Sequence, residues 1–203
     1  MNTEQNPTPT AGLQAEKHPL RPFLPENAKL LMLGSFPPPR KRWCMDFFYP
    51  NWGNDMWRIW GQIAEGDKNH FVVHSEKRFD QERIEAFCLE KGIALYDTAE
   101  EVVRLKNNAS DNFLQVVRPT NLHALLRALP QCRAIVTTGQ KATDTLCDTF
   151  HAEPPAIGHY SPFEAEGRTL RLYRMPSSSR AYPLKLETKA AFYRSMAEEI
   201  GLL

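Results

Sequence analysis

The stretch Lys29-Leu30-Leu31-Met32-Leu33-Gly34 decides the fold of this 203-residue chain. Its apolar side chains follow one another without a polar break and stop at a glycine. A strand with water on one side alternates apolar and polar residues, whereas a strand covered on both faces reads as a continuous apolar run. We therefore expect this stretch to be a central strand of an α/β domain.

Short apolar runs and segments of helical spacing alternate along the rest of the chain. Further strands are predicted over residues 93–96, 134–136 and 168–175. Helices are predicted up to about residue 64 after a cap at Asn54 or Asp55, between Asp80 and Gly92, from near Pro119 to Leu129, and over 140–150 and 187–200. This alternation predicts a three-layer α/β/α sandwich around a mainly parallel sheet of about four strands. Residues 97–112 are predicted as a polar loop, and residues 1–17 as a flexible tail ahead of a single domain over 18–203.

The charge balance excludes one class of nucleic-acid-binding protein. With 25 Lys and Arg against 24 Asp and Glu, the formal net charge is +1. A uniformly basic protein held on DNA by diffuse attraction to phosphates is therefore excluded. Positive charge nevertheless gathers in two segments: residues 34–60 carry four cations against two carboxylates, and residues 158–185 carry five against two. Any DNA-binding role would rest on a local site.

Other sequence features bear on location and cofactors. No run reaches the roughly 18 apolar residues of a membrane span, and the start of the chain lacks the pattern of a signal peptide, so we expect a cytoplasmic protein without membrane contact. The 4 cysteines are widely spaced without a CxxC pair. Free thiols are expected, with no metal and no cofactor.

Two unusual loops follow predicted strands. Residues 35–53 are rich in proline, aromatic and basic residues, and residues 176–183 form a Ser/Pro segment. Loops as long as the first one are usually functional in compact domains. In parallel sheets, ligands bind at the carboxyl ends of the strands, from which both loops would leave. We therefore expect the two loops to form one site.

Four segments, in this order, resemble the uracil-DNA glycosylase superfamily, and most closely its hypoxanthine (deoxyinosine) DNA glycosylase branch. The resemblance covers nearly all of the chain after the tail. Its segments are His18-Pro19-Leu20 leading to Leu33-Gly34-Ser35-Phe36-Pro37; Phe48-Tyr49 with Asn54-Asp55-Met56-Trp57; Gly92-Ile93-Ala94-Leu95-Tyr96-Asp97 with Ala109-Ser110-Asp111; and Met175-Pro176-Ser177-Ser178-Ser179-Arg180-Ala181. The second resembles the branch's Tyr-Tyr and Asn-Arg-Phe-Trp signature, and the last its Leu-Pro-Ser-Thr-Ser-Pro-Ala loop.

The resemblance also shows departures. In better-known branches the first loop carries an Asp or Asn that handles the attacking water, and the second carries a His that supports the leaving base. Phe36 and Met175 occupy these places here, and neither side chain can orient water. The hypoxanthine branch shares this loss and relies on the Asn of its signature, which implies Asn54. Asp55 replaces that signature's Arg, and Arg180 replaces a Pro of the closing loop.

Candidate roles follow from the resemblance and from side-chain chemistry. Asn54 is the predicted catalytic residue, because an amide can position a water without acting as a strong base. The base-binding candidates are the backbone N–H groups of Ser35 and Phe36 and the rings of Phe48 and Tyr49. The DNA-binding candidates are Arg40, Lys41, Arg42, Ser177, Ser178, Ser179, Arg180 and Tyr182.

Each of these residues also has a structural interpretation. Asn54 can be a simple helix N-cap, the aromatic residues can belong to the core, the Ser/Pro segment can be an ordinary turn, and the three adjacent cations can be solvated. Asp111 and His159 lie in predicted loops, where structural hydrogen bonding is the favoured role.

Three classes of function are compatible with these features. The first is a monofunctional DNA glycosylase, without metal or cofactor, acting as a monomer on DNA that contains a deaminated or mismatched base such as hypoxanthine or uracil. The second is a nucleic-acid-binding protein with the same fold that has lost catalysis. The third, a nucleotide-binding or hydrolytic α/β enzyme, is disfavoured because the chain has no GxGxxG, GxxxxGK[ST] or GxSxG motif.

Overall fold

The computed structural model describes residues 14–105 and 113–203. The elements in this part of the chain are β1 (Glu16–Lys17), β2 (Leu30–Gly34), α1 (Met56–Ala64), β3 (Val72–Val73), β4 (Arg78–Phe79), α2 (Gln81–Lys91), β5 (Ile93–Asp97), β6 (Ala99–Arg104), β7 (Leu114–Pro119), α3 (Leu122–Arg127), β8 (Ala134–Thr138), α4 (Gln140–Phe150), β9 (Tyr160–Ala165), β10 (Arg168–Met175) and α5 (Leu186–Glu199). Asp111, one of the predicted loop residues, lies outside the described residues. No helix in the described ranges is long and apolar enough to cross a membrane.

The central sheet has five strands in the order β5-β2-β8-β10-β9. The first four are parallel, and β9 pairs antiparallel with β10. The mixed α/β fold with a mainly parallel central sheet is therefore confirmed, and the sheet has five strands where about four were expected. The missed strand contains Pro162 opposite Arg171. Proline is tolerated at a sheet edge because its missing N–H can face away from the ladder.

A second sheet, of order β1-β6-β7, corrects the predicted loop over residues 97–112. Residues 99–104 form a strand instead. Register shifts between Ala99 and Val102 interrupt the ladder of this strand with β7. Such irregularities remove the strict alternation by which a half-buried strand is recognised in sequence. Glu16 and Lys17, which the prediction placed in the flexible tail, pair with β6. The single-domain organisation stays a prediction.

The helices begin and end close to the predicted residues. Asp80 accepts a hydrogen bond from Arg83 N at 3.1 Å at the start of α2, and Gly92 ends this helix with a φ of 69°. That left-handed conformation suits glycine, which has no Cβ to clash. The third helix is shorter than predicted and begins after Asn121, because Pro119 belongs to β7.

The main core lies between the central sheet and the helices. The first helix has nine residues and buries seven of them, including Trp57 and Trp60. Trp60 meets Tyr193 of α5 edge to face, with ring centroids 6.2 Å apart. The first and last helices thus pack on each other, and this contact holds the start of α1 beside the loop that precedes α5.

Candidate functional site

A cleft of about 1280 Å³ lies at the carboxyl edge of the central sheet. Its floor includes Gly34, Asp97, Thr138 and Met175, the last residues of the four parallel strands β2, β5, β8 and β10. Both predicted loops, 35–53 and 176–183, contribute lining residues. The cleft therefore occupies the position at which parallel α/β sheets bind ligands.

Most of the residues predicted to form a site line this cleft. The lining includes Ser35, Phe36, Arg42, Phe48, Tyr49, Asn54, Ser177, Ser178, Ser179 and Tyr182. Arg40, Lys41 and Arg180 lie outside the lining. Arg40 instead forms an ion pair with Asp46, with an N–O distance of 2.7 Å, and both side chains are exposed. An exposed pair of this kind leaves the cation available to other partners.

Asn54 is held at the start of α1 by several hydrogen bonds. Its Oδ1 accepts from Met56 N at 2.9 Å, and its backbone N–H donates to Asn51 O at 2.8 Å. Arg58 donates to the Asn54 carbonyl at 3.1 Å. The capping interpretation of Asn54 is therefore correct in geometry, although the helix formally begins after Asp55. The bond to Met56 uses one lone pair, so the second lone pair and the NH₂ group of the amide can serve the cleft.

The aromatic candidates have different environments. Phe48 is only 4% exposed and belongs to the core, as does its neighbour Phe47. Tyr49 has a φ of 52°, a left-handed conformation that costs a residue other than glycine about 1–3 kcal/mol. Its hydroxyl lies 3.2 Å from Thr138 Oγ1, and burial, assisted by the charge of Asp97, raises the pKa of the phenol. Tyr49 is therefore a neutral phenol near pH 7, in a backbone conformation held by its surroundings.

Asp55 and Arg180, two of the four residues at which the chain departs from the sequences it resembles, bind each other. Arg180 Nε lies 2.9 Å from Asp55 Oδ1. The other carboxylate oxygen, Oδ2, accepts from Lys189 Nζ at 3.3 Å, and Lys189 also donates to Ser179 O at 2.8 Å. The Lys189 side chain is fully buried, and that of Asp55 is 9% exposed. The two residues thus form one ionic cluster with a lysine from α5, in which Asp55 and Lys189 are buried and Arg180 reaches solvent.

Backbone hydrogen bonds join the same two loops. Asp55 N donates to Ser178 O at 2.8 Å, Arg180 N donates to Gly53 O at 3.1 Å, and Asn54 and Ser179 form an isolated β-bridge. Asn54 and the serine loop are therefore fixed side by side. Arg180, which was predicted to contact DNA, is half exposed, and its backbone N–H and side chain both bind the first loop and the start of α1.

Sequence reasoning missed one acidic side chain at the floor of the cleft. Asp97 ends β5, is 7% exposed, and lines the cleft. Its Oδ2 lies 2.8 Å from His18 Nε2. The sequence did contain a signal for this residue, because its carboxylate directly follows the apolar run 93–96. The prediction instead assigned Asp97 to the start of a polar loop. His18 entered the sequence analysis only as part of the family resemblance.

The basic segments largely serve internal contacts. Arg168 donates to main-chain carbonyls around the end of α3, and Arg171 pairs with Glu199 at 3.2 Å. Arg58 packs over Trp52 at 4.5 Å from the ring centroid, and burial lowers its pKa to about 10. The charged residues that line the cleft are of both signs: Arg42, Lys141, Arg174, Asp97, Asp144 and Asp148. Within the described ranges, no group of three or more His, Cys, Asp or Glu could hold a metal ion.

Comparisons with known proteins give a structural likeness only. No family model matches the chain, and no curated protein matches it. The chain is similar to the solution NMR structure of a "putative uracil DNA glycosylase" from Methanosarcina acetivorans, with a TM-score of 0.58 and 22% sequence identity. The likeness covers 90% of this chain and 99% of that one. The chain therefore shares its fold with that archaeal protein over almost its whole length.

Proposed function

We propose that the protein is a DNA glycosylase that removes a deaminated base from DNA. The observation that carries the proposal is the placing of Asn54 beside the Ser177–179 loop, in a cleft at the carboxyl ends of four parallel strands. The shared fold with the archaeal protein and the four-segment resemblance support it. The same resemblance favours a three-layer sandwich, action as a monomer, and hypoxanthine or uracil as the base.

The chemistry needs a positioned water and a site for an extruded base. Cleavage of an N-glycosidic bond passes through a sugar with oxocarbenium character, which a water then attacks. The target base must first leave the stack and enter a pocket. We assign the water to the Asn54 amide, whose rotamer the bond to Met56 N fixes. We assign the base to the deeper part of the cleft, beside Phe48 and Tyr49.

The second loop provides contacts to the DNA backbone. Small side chains at Ser177, Ser178 and Ser179 allow close approach of a phosphate. The hydroxyls of Ser177 and Ser179 each accept a bond from a backbone N–H and can donate to phosphate oxygens, whereas Ser178 is only 3% exposed. Arg42, which lines the cleft, and Lys41, which is exposed, supply positive charge at the first loop. Tyr182 lines the same wall and can fill the space that the extruded nucleotide leaves.

A lesion panel tests the proposal. Oligonucleotides with a single hypoxanthine, uracil or xanthine are incubated with the protein, and abasic sites are then cleaved. We expect an abasic product on at least one lesion, loss of about 100-fold or more in Asn54→Ala, and no adduct trapped by borohydride, since the mechanism uses no lysine nucleophile. Absence of product on every lesion would reject the enzyme.

Binding without catalysis is the second candidate. Phe36 and Met175 occupy positions where better-known branches carry catalytic side chains, and Met175 is only 1% exposed at the floor. Lesion-dependent DNA binding without product would favour this candidate over the glycosylase.

A further inference from the structure

One carboxylate and three cations meet where the two loops join. Arg180 Nε lies 2.9 Å from Asp55 Oδ1, and Lys189 Nζ lies 3.3 Å from Asp55 Oδ2. Arg58 lies close to the same group: burial lowers its pKa to about 10, and the positive charge of Arg180 contributes to that shift. Within the described ranges, none of the three cations has a second carboxylate partner. Because Arg58 and Lys189 are buried, this excess of positive charge is costly and favours the binding of an anion from outside.

Arg180 is the cation of this group that an outside anion can reach. Its side chain is 48% exposed, whereas that of Lys189 is fully buried. A guanidinium group has several N–H donors, and only Nε of Arg180 donates to Asp55. Among residues 14–105 and 113–203, neither Nη group of Arg180 has a hydrogen-bond partner. A guanidinium held at one edge presents its other donors in a fixed direction, which lowers the entropy cost of a second bond.

The position of Arg180 indicates which part of a DNA strand it would meet. Its neighbours Ser179 and Ala181 line the cleft, whereas Arg180 itself lies outside the lining. A flipped nucleotide places its base inside the pocket, so its phosphates stay at the rim. The planar guanidinium group matches the geometry of phosphate oxygens, to which it can donate two parallel hydrogen bonds. Arg180 is therefore suited to a backbone phosphate.

We propose that Arg180 binds a phosphate of the DNA backbone, and that Asp55 is a positioning residue that holds the guanidinium group for this contact. The inference rests on the proposed function, which supplies DNA as the ligand. A carboxylate beside a DNA-binding surface ordinarily repels phosphates, so its removal raises the affinity for DNA. Removal of the Asp55 charge should instead lower the affinity, because Arg180 loses the group that holds it.

The test measures DNA binding apart from excision. Fluorescence anisotropy gives the affinity for an undamaged duplex and for a duplex with a tetrahydrofuran abasic analogue, over a range of salt concentrations. We expect Arg180→Met to weaken binding to both duplexes by about 10-fold or more. The slope of the logarithm of affinity against the logarithm of salt concentration should fall by about 1, as for the loss of one phosphate contact. Arg180→Lys keeps the charge without the planar group and should lie between Arg180→Met and wild type.

Asp55→Asn tests the positioning role. The amide oxygen can stay on Lys189 and so preserve the joint between the loops, while the NH₂ group faces Arg180 and cannot accept from it. We expect the affinity to fall by at least about threefold. In the Arg180→Met background the same change should cause no further loss, since Asp55 then has no guanidinium group to hold. Should Asp55→Asn unfold, the comparison is made in the Lys189→Met background, which buries no unpaired ammonium group.

Asp46→Asn is the matched control. Asp46 forms the same kind of pair with Arg40, at 2.7 Å, but both side chains are exposed and the pair holds neither of them in place. We expect this variant to keep at least the wild-type affinity. Thermal unfolding of every variant sets a temperature at which all of them are folded.

The outcomes separate the proposals. Unchanged or tighter binding in Asp55→Asn overturns its positioning role, as does a further loss in the double variant. An unchanged salt slope in Arg180→Met overturns the phosphate contact. A loss confined to the abasic duplex overturns it too, because the side chain would then fill the space that the extruded nucleotide leaves. Wild-type protein that binds DNA but excises no lesion rejects the glycosylase and leaves the role of Arg180 to these measurements, whereas absence of DNA binding rejects both.

Discussion

Replacement of Asp55 by alanine tests whether the ionic cluster of Asp55, Arg180 and Lys189 holds the two loops together. In the structure, Lys189 is fully buried and its Nζ has two described acceptors, Asp55 Oδ2 at 3.3 Å and Ser179 O at 2.8 Å. Asp55→Ala removes the only negative charge of this set. The ammonium group would then be buried with a single carbonyl, while Arg180 can turn to solvent because it is half exposed.

The magnitude follows from the burial of Lys189. Removing one partner of a buried ion pair costs about 3–5 kcal/mol, because the remaining charge is uncompensated. For a chain of this size, each kcal/mol lowers the melting temperature by about 2–4 °C, so Asp55→Ala should lower it by about 6–20 °C. Lys189→Met leaves Asp55 paired with Arg180 and should therefore lower the free energy of unfolding by less than Asp55→Ala does. The double variant should be more stable than the sum of the two single effects implies, because it buries no unpaired charge.

Circular dichroism monitors the thermal and urea unfolding of the wild type, the two single variants and the double variant. A loss below about 1 kcal/mol in Asp55→Ala, or strict additivity in the double variant, would refute the reasoning. Excision assays on the same proteins add a second readout. If the cluster positions the Ser177–179 loop beside Asn54, Asp55→Ala should lose activity at temperatures where it is still folded.

Three further predictions concern the cleft and the core. Asn54→Ala should cost about 0.5–2 kcal/mol of stability through the lost bond to Met56 N, whereas Asn54→Asp should keep the cap but not the donor; urea unfolding and excision rates distinguish the two losses. Gly34→Ala should cost about 1–3 kcal/mol and weaken base excision, since a Cβ there displaces Asp97; wild-type stability and rate would contradict the close approach. Burial raises the pKa of the Cys132 thiol from 9.0 to about 11, so the folded state holds a proton that the unfolded state has lost, and stability should fall as the pH rises from about 9 to 11. Cys132→Ala should remove only its own part of that alkaline decline in pH-dependent urea unfolding, because burial also raises the pKa of the Cys44, Cys88 and Cys147 thiols.

Much of the fold could be predicted because the informative residues act locally. The apolar run of β2, the cap at Asp80 and the stop at Gly92 each report on a few neighbouring residues, and the structure confirms them. The two-residue strands β1, β3 and β4 were not predicted, and neither were β6, β7 and β9. The ladder between β6 and β7 has an irregular register, and β9 carries an edge proline, and both features hide the period of two. Sequence alone shows neither the register of a ladder nor which strand lies at the edge of the sheet, since both depend on the partner strand.

The candidate site was predictable to a similar degree. The placing of loops at strand ends follows from parallel topology, and it brought Asn54, Tyr49 and the serine loop to one cleft. The bonds between Asp55 and Arg180, 125 residues apart, and between His18 and Asp97, 79 residues apart, depend on the folded chain. No local pattern encodes contacts of that separation, so they became visible only in three dimensions.

The separation of His18 from Asp97 has a consequence for how the cleft assembles. The contact closes a loop of 79 residues, and the loss of chain entropy must be offset before it forms. The strands β2 and β5 can pair without it, because their ladder needs only residues 30–34 and 93–97. The segment that carries His18 is attached to this sheet by separate contacts, the pairing of β1 with β6 and the bridge between Phe23 and Leu95. A chain shortened past residue 18 is therefore expected to keep the β2–β5 ladder, while the Asp97 carboxylate loses the His18 ring that lies against it.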